Sequence, residues 1–339
     1  MVLDDDLRAW LLDSDPALRW QVERDLLGAD DDVWQATRAR VATEGFGARL
    51  LSLQDDDGRW AGGAFFPAGF DFHGPETAPD AGQPWTATTW SLTSLHEWGV
   101  DAAALEGTAQ RLDAVCRWEY DDLPYWGGEV DACINAMTLA NGAWLGADVS
   151  QVARWFLEHR MTDGGWNCEW VEGSVRSSVR STLASVRGLL GYETTVEAHG
   201  GPGTSSSLTS ALRAARHAGE EYLLARRLMF RLSTGEQLAP WVTELAYPVR
   251  SFYSVLAAAD HLRAASLHDA RPPDPRVAEA VEVVRAARQP DGTWLQGRRH
   301  PGRVWFEVDV PAGEPSRWLT LHALRVLDWW DTGGPATDA

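Results

Sequence analysis

Apolar side chains recur at spacings of three and four along several stretches of the chain. These are Ala17 to Leu27, Thr86 to Trp98, Ala132 to Leu145, Val149 to Glu158, Ser206 to Leu224, Arg250 to Leu262, Val277 to Ala287 and Trp318 to Trp330. That period puts the apolar residues on one face of a helix. No run alternates as a half-buried strand does, so an all-α protein is expected. Ser174 to Thr182 also reads as helix, whereas Ala61 to Gln83, Gly191 to Gly203 and Gln289 to Pro315 are rich in Gly, Pro and Asp. Their length suits lids or binding loops.

Behind three of the helical stretches the same short pattern returns: Gln54 to Trp60, Arg160 to Trp166 and Arg288 to Trp294, each with an Asp-Gly pair and a Trp two residues after the Gly. A damaged fourth copy ends at Trp126, with Pro124 in place of the Gly. The pattern predicts a helix stopped by a turn, in which Gly takes a positive φ and the Trp folds back over the helix end. Asp-Gly turns are common, but three such copies behind helices point to a repeat architecture.

The repeat resembles the QW motif of squalene and oxidosqualene cyclases. Its best copy is Ala48-Arg49-Leu50-Leu51 followed by Gln54, Gly58 and Trp60; the others carry Arg160 and Arg288 where the motif has Gln. The chain is similar to short bacterial squalene-cyclase-like proteins through Asp163-Gly-Gly-Trp166-Asn-Cys168, Glu129-Val-Asp131-Ala-Cys133 and Pro315-Ser-Arg317-Trp318. The resemblance, which extends to protein prenyltransferases, implies an α/α toroid of about six helix pairs around a central cavity. Residues 1–339 would form one such domain, with N-terminal helices in 1–45 packed on the barrel and 332–339 as a flexible tail. Squalene cyclases have two such domains and this chain has room for one, so an isoprenoid smaller than squalene is expected.

Charge narrows the partners. The net charge of −19, from 30 basic against 49 acidic residues, argues against nucleic acid and anionic membrane surfaces. No apolar run is long enough to span a bilayer, and the first residues are acidic, so a cytoplasmic protein acting on a small molecule is expected. Three cysteines make no disulfide framework and suit a reducing compartment. Tryptophan, at 19, outnumbers Phe at 9 and Tyr at 6, which calls for a repeat or an aromatic pocket.

Glu129 and Asp131, at the start of a predicted helix, are the candidate catalytic pair. A carboxylic acid that protonates an alkene must stay neutral until it reacts, and burial or a neighbouring carboxylate achieves this. The resemblance supplies two versions of the site. Glu129-x-Asp131 is a partial echo of the cyclase D-x-D-D motif, lacking its last Asp. Asp131-x-Cys133 looks like the prenyltransferase zinc pair, with Cys168 as a third candidate zinc ligand. The histidine that completes the zinc set is missing, with Arg in the helix after Cys168, and His73 is the candidate replacement. The competing structural readings are helix capping for Asp131 and small buried apolar residues for the two cysteines.

Arg176 and Arg180, four apart on that helix, would share a face and could hold a diphosphate or carboxylate; ion pairing with Glu169 or Glu172 is the alternative. Trp85, Trp90, Trp126 and Trp170 are the candidate cavity wall, each able to stabilise a carbocation by roughly 1 to 2 kcal/mol when desolvated. Trp60, Trp166 and Trp294 belong to the repeat, and His322 reads as a core residue. The expected function is acid-initiated cyclisation or isomerisation of an isoprenoid. The alternatives are a zinc-dependent transferase or lyase using Asp131, Cys133 and Cys168, and a glycan-processing or protein-binding toroid.

Overall fold

A computed structural model describes residues 3–78 and 81–334, so the last residues of the expected tail lie outside the described ones. Its helices, in chain order, are α1 (Asp5–Leu12), α2 (Pro16–Asp25), α3 (Asp31–Ala39), α4 (Gly45–Leu51), α5 (Thr88–Glu97), α6 (Thr108–Val115) and α7 (Ala132–Leu145). They continue as α8 (Ser150–Glu158), α9 (Val179–His199), α10 (Ser206–Ala225), α11 (Val255–His268), α12 (Ala278–Ala286) and α13 (Arg317–Thr332). The fold is mostly helical, as expected. Among the described residues the strands are two residues long: β1 (Trp294–Leu295) pairs antiparallel with β2 (Pro315–Ser316). No described helix is long and apolar enough to cross a membrane.

The chain divides into two compact units. One takes in Val41–Glu220 and His300–Phe306; the other holds the chain up to Arg40, Glu221–Arg299 and the chain from Glu307 onward. In the first unit α7 is the central helix, packed on α9, α5 and α8. Its Ala132, Ile134, Ala136 and Leu139 are buried, and Asn141 donates to Thr93 of α5 at 2.9 Å. The α7–α9 crossing is tight: a Cβ on Gly188 would sit 2.4 Å from the Ala136 carbonyl oxygen. Arg216 of α10, fully buried, donates two hydrogen bonds of 3.1 Å to the two oxygens of Glu193 on α9, and one of 2.8 Å to Glu220.

That pairing corrects one expectation. Gly191 to Gly203 was expected to be a loop, yet α9 continues to His199. The polar run after Gly191 stays helical because Glu193 finds a buried cation on α10, and Thr194 and Thr195 donate back to the Leu190 and Gly191 carbonyls at 2.9 Å. A second correction concerns α11, which begins at Val255. Ser254 caps it by accepting the Ala257 N–H, so residues 250–254 precede the helix.

The Asp-Gly-x-Trp repeat has one geometry in all three copies. Gly58, Gly164 and Gly292 have φ of 90°, 99° and 87°. The indole N–H groups of Trp60, Trp166 and Trp294 donate to the carbonyls of Leu50, Phe156 and Val284 at 2.9, 3.0 and 2.7 Å. Those acceptors lie in the last turns of α4, α8 and α12, where helical carbonyls lack partners. The backbone N–H of each Trp donates to a threonine in the first turn of a later helix: Thr88, Thr182 and Thr320, at 3.1, 3.1 and 3.0 Å. Trp126 differs, since its indole reaches Ala109 in the first turn of α6 and closes no helix end.

In the second unit α13 packs on α11, α12 and α2. Arg325 of α13 is buried, pairs with Asp25 and donates to Gln21 at 2.7 Å.

Gly188→Ala tests the α7–α9 contact. Alanine would favour an exposed helix by about 1 kcal/mol, but here overpacking against a backbone oxygen should lower the unfolding free energy by roughly 1 to 3 kcal/mol. Urea denaturation reads the sign; a stabilised variant would refute the close approach.

Candidate functional site

Residues 129–131 form a pinned corner at the entrance to α7. Asn135, fully buried one turn into the helix, accepts the Glu129 N–H at 2.7 Å and donates its amide to the Glu129 carbonyl at 2.6 Å. The Trp170 indole donates to the Val130 carbonyl at 2.8 Å, and the Asp131 N–H donates to Glu129 Oε2 at 2.6 Å. Gly128, at φ 86°, leads into the corner, and a Cβ there would meet Asn135 Oδ1 at 2.7 Å. All three residues are thus held by neighbours before any ligand binds.

Asp131 occupies the N-cap position of α7 but makes no side-chain capping bond. Its carboxyl is pushed above the usual range by burial, with the Cys168 thiol and Arg180 pulling it back and Glu172 adding to the rise. Burial also raises Glu129, opposed by the Asp131 N–H and reinforced by the charges of Asp131 and Glu119. Two half-buried carboxyls biased toward their neutral forms are what proton donation to a weak base requires.

The two cysteines of the expected site meet. Cys133 Sγ and Cys168 Sγ are 2.9 Å apart, and Ser181 Oγ of α9 donates to Cys168 Sγ at 3.3 Å. The hydrogen bond from Cys133 holds Cys168 below the usual thiol range, against burial and with help from Ser181. Cys133, half-buried and hydrogen-bonded to Cys168, is pushed well above it. Zinc fits this arrangement poorly. Two thiolates at about 2.3 Å from a tetrahedral zinc stand about 3.7 Å apart. Among the described residues no His, Cys or carboxylate ligand atom lies within 4.8 Å of both sulfurs.

The other expected residues are distributed unevenly. Trp170 lies on the site, in edge contact with His159 at 4.6 Å, and His159 stacks on Trp155 at 4.3 Å. Trp85 and Trp90 form a T-shaped pair at 4.6 Å, and Phe65 adds a ring 4.8 Å from Trp90, whose indole N–H has no partner. Trp126 is buried against Tyr125. His73 is exposed in a turn, its N–H on Asp71. Arg176 and Arg180 do not share a helix face. α9 starts at Val179, capped by Ser178, so Arg176 falls in the exposed bend before it and only Arg180 rides on the helix.

No family model matches the chain, and no curated protein matches it. A solved structure, the crystal structure of a protein from Actinoplanes, is similar at 17% identity and a TM-score of 0.41, over 94% of this chain and 90% of that one.

Sequence reasoning missed several groups that join only through the fold. Glu119 accepts the N–H groups of Ala64, Phe65 and Phe66 at 3.0 to 3.1 Å and so fixes the start of the expected lid. In the second unit His322 Nδ1 lies 3.0 Å from Asp260 Oδ2, while its buried Nε2 has no partner. Asp309 nearby is pushed up to about 6 by burial, although Ser316 and Gln296 both donate to its Oδ2. Ser316 also caps α13, accepting the Leu319 N–H at 3.0 Å.

Two outcomes follow. Asn135→Ala removes both pins on Glu129 and should cost about 2 to 4 kcal/mol in denaturant titrations; an unchanged midpoint would show that the corner holds without them. For Asp309, ionisation is harder in the folded state than at the ordinary 3.8, so stability falls as pH rises from about 4 to about 6. Asp309→Asn keeps an acceptor for Ser316 and should remove that fall, by up to about 3 kcal/mol. Parallel pH–stability curves for the two proteins would contradict the assignment.

Proposed function

We propose that the chain is an acid-initiated isoprenoid cyclase or isomerase. Its helices are read as an α/α toroid, and its substrate as an isoprenoid smaller than squalene, processed in the cytoplasm. The observation that carries this reading is the pinned Glu129–Asp131 corner, where burial keeps two carboxyls biased toward neutrality beside the indole of Trp170.

In this reading the Asp131 carboxyl O–H protonates a terminal alkene carbon, the π electrons form the new C–H bond, and a carbocation remains on the neighbouring carbon. Arg180 is the cation that favours the carboxylate left behind. Trp170, with Trp85, Trp90 and Trp126 as further wall, supplies π faces that stabilise the cation where water would quench it. Proton loss from a neighbouring carbon ends the reaction, and Glu129, the second carboxyl of the corner, is read as the relay that returns that proton to Asp131.

Incubation with a panel of linear isoprenoid hydrocarbons and isoprenyl diphosphates, read by gas chromatography and mass spectrometry, tests the proposal. Cyclised or isomerised products should form, survive a chelator, and fall at least roughly a hundredfold in Asp131→Asn. The rate should decline as pH rises through the elevated pKa of Asp131, because the reactive form is the protonated one. Products undiminished in Asp131→Asn would sink the assignment of the acid.

A further inference from the structure

We propose that Cys133 and Cys168 form a thiol–disulfide exchange site, in which Cys168 attacks a small disulfide of the glutathione class and Cys133 then closes an intramolecular disulfide. The proposal is independent of the isoprenoid reading.

The sulfurs come from two separately supported elements. Cys133 is the second residue of α7, and Cys168 opens a short helical turn spanning Cys168–Glu172. Four hydrogen bonds set their approach. Trp170, two residues after Cys168, is bonded to Val130, three before Cys133. The Cys168 N–H donates to Ser181 Oγ at 3.1 Å, and that hydroxyl also reaches Cys168 Sγ. Ser178 Oγ donates to Ser181 Oγ at 2.9 Å and orients it as a donor toward the sulfur. With 2.9 Å between the sulfurs, closure needs about 1 Å of further approach, within the reach of a side-chain rotation.

The two thiols have different environments. Cys168 has the Ser181 hydroxyl donating to its sulfur and the Cys133 sulfur 2.9 Å away, the environment of an attacking thiolate, and Cys133, whose thiol is pushed up, is the one that resolves the intermediate. Both retain partial exposure. Cys116 is the internal contrast, buried with its thiol pushed up to about 12. A protonated Asp131 removes the nearby negative charge that opposes the Cys168 thiolate, so the neutral acid and the thiolate are compatible states.

The exchange balances. The Cys168 thiolate bonds to one sulfur of the small disulfide and expels the other as a thiolate. Cys133 loses its proton and attacks Cys168 Sγ, expelling the second. Two protein thiols are oxidised to one disulfide, one small disulfide is reduced to two thiols, and the two protons released are taken up by the two leaving thiolates.

The test uses the intact protein and glutathione disulfide. The expected result is a mass lower by two hydrogens, a peptide map joining Cys133 to Cys168, and reversal by dithiothreitol. Iodoacetamide at neutral pH should modify Cys168 roughly tenfold faster than an unstructured cysteine peptide and leave Cys116 for last. Cys133→Ser should accumulate glutathione on Cys168. Wild-type peptide mapping decides the matter even if that variant folds poorly. A wild-type protein that stops at a mixed disulfide, an unreactive Cys168, or bound zinc that shields both thiols until a chelator is added would each overturn the proposal.

Discussion

A helix that ends inside a protein leaves carbonyls without partners, and three helix ends here are satisfied by an indole N–H donated from the turn that follows. The same tryptophan then donates its backbone N–H to a threonine at the start of a later helix. One side chain thus meets two needs: it donates to a carbonyl in the closing turn of one helix and fixes where the next begins. Glycine is needed at the turn because the chain reverses through a positive φ before the ring can fold back. Part of the tryptophan excess becomes intelligible once the rings of Trp60, Trp166 and Trp294 are given both a packing and a hydrogen-bonding task.

The Glu129–Asp131 corner works against its own stability. Holding two carboxyls in a half-buried place makes their ionisation costly, and the surrounding protein supplies the means to keep them there. Asn135 fixes the backbone and Trp170 ties the corner to the segment carrying Cys168. Asp131 illustrates the choice: standing at a helix N-cap, it leaves the helix N–H groups alone. A cap would have held its charge in place, whereas a carboxyl facing Cys168 and Arg180 is able to gain and lose a proton.

Much of this was legible in the sequence where the signal is local. The bounds of α7, α8, α10 and α12 follow apolar periodicity, the repeat announces its own turn, and the Glu129–Cys133 segment stands at a helix start as its composition suggests. Illegible features depend on partners far along the chain. The end of α9 was hidden because Glu193 is helical only once Arg216 is beside it, and Asn135 reads as an ordinary interior residue until its amide is seen on Glu129. Arg176 and Arg180 failed for a different reason: four-residue spacing implies a shared face only inside a helix, and Ser178 starts the helix between them. Asp260 and Asp309 gave no sequence signal and His322 read only as a core residue, since three scattered residues of common type acquire meaning only by proximity.

The three helix closures also give the molecule a set of built-in reporters. Trp60 and Trp166 lie in one compact unit and Trp294 in the other, each fully buried with its indole proton on a backbone carbonyl. Such a proton exchanges with solvent only when its helix end opens. Indole exchange followed by NMR would therefore time the opening of each unit separately, without a label and within a single sample. It would reveal whether the two units loosen together or one at a time, which global denaturation would average into a single curve.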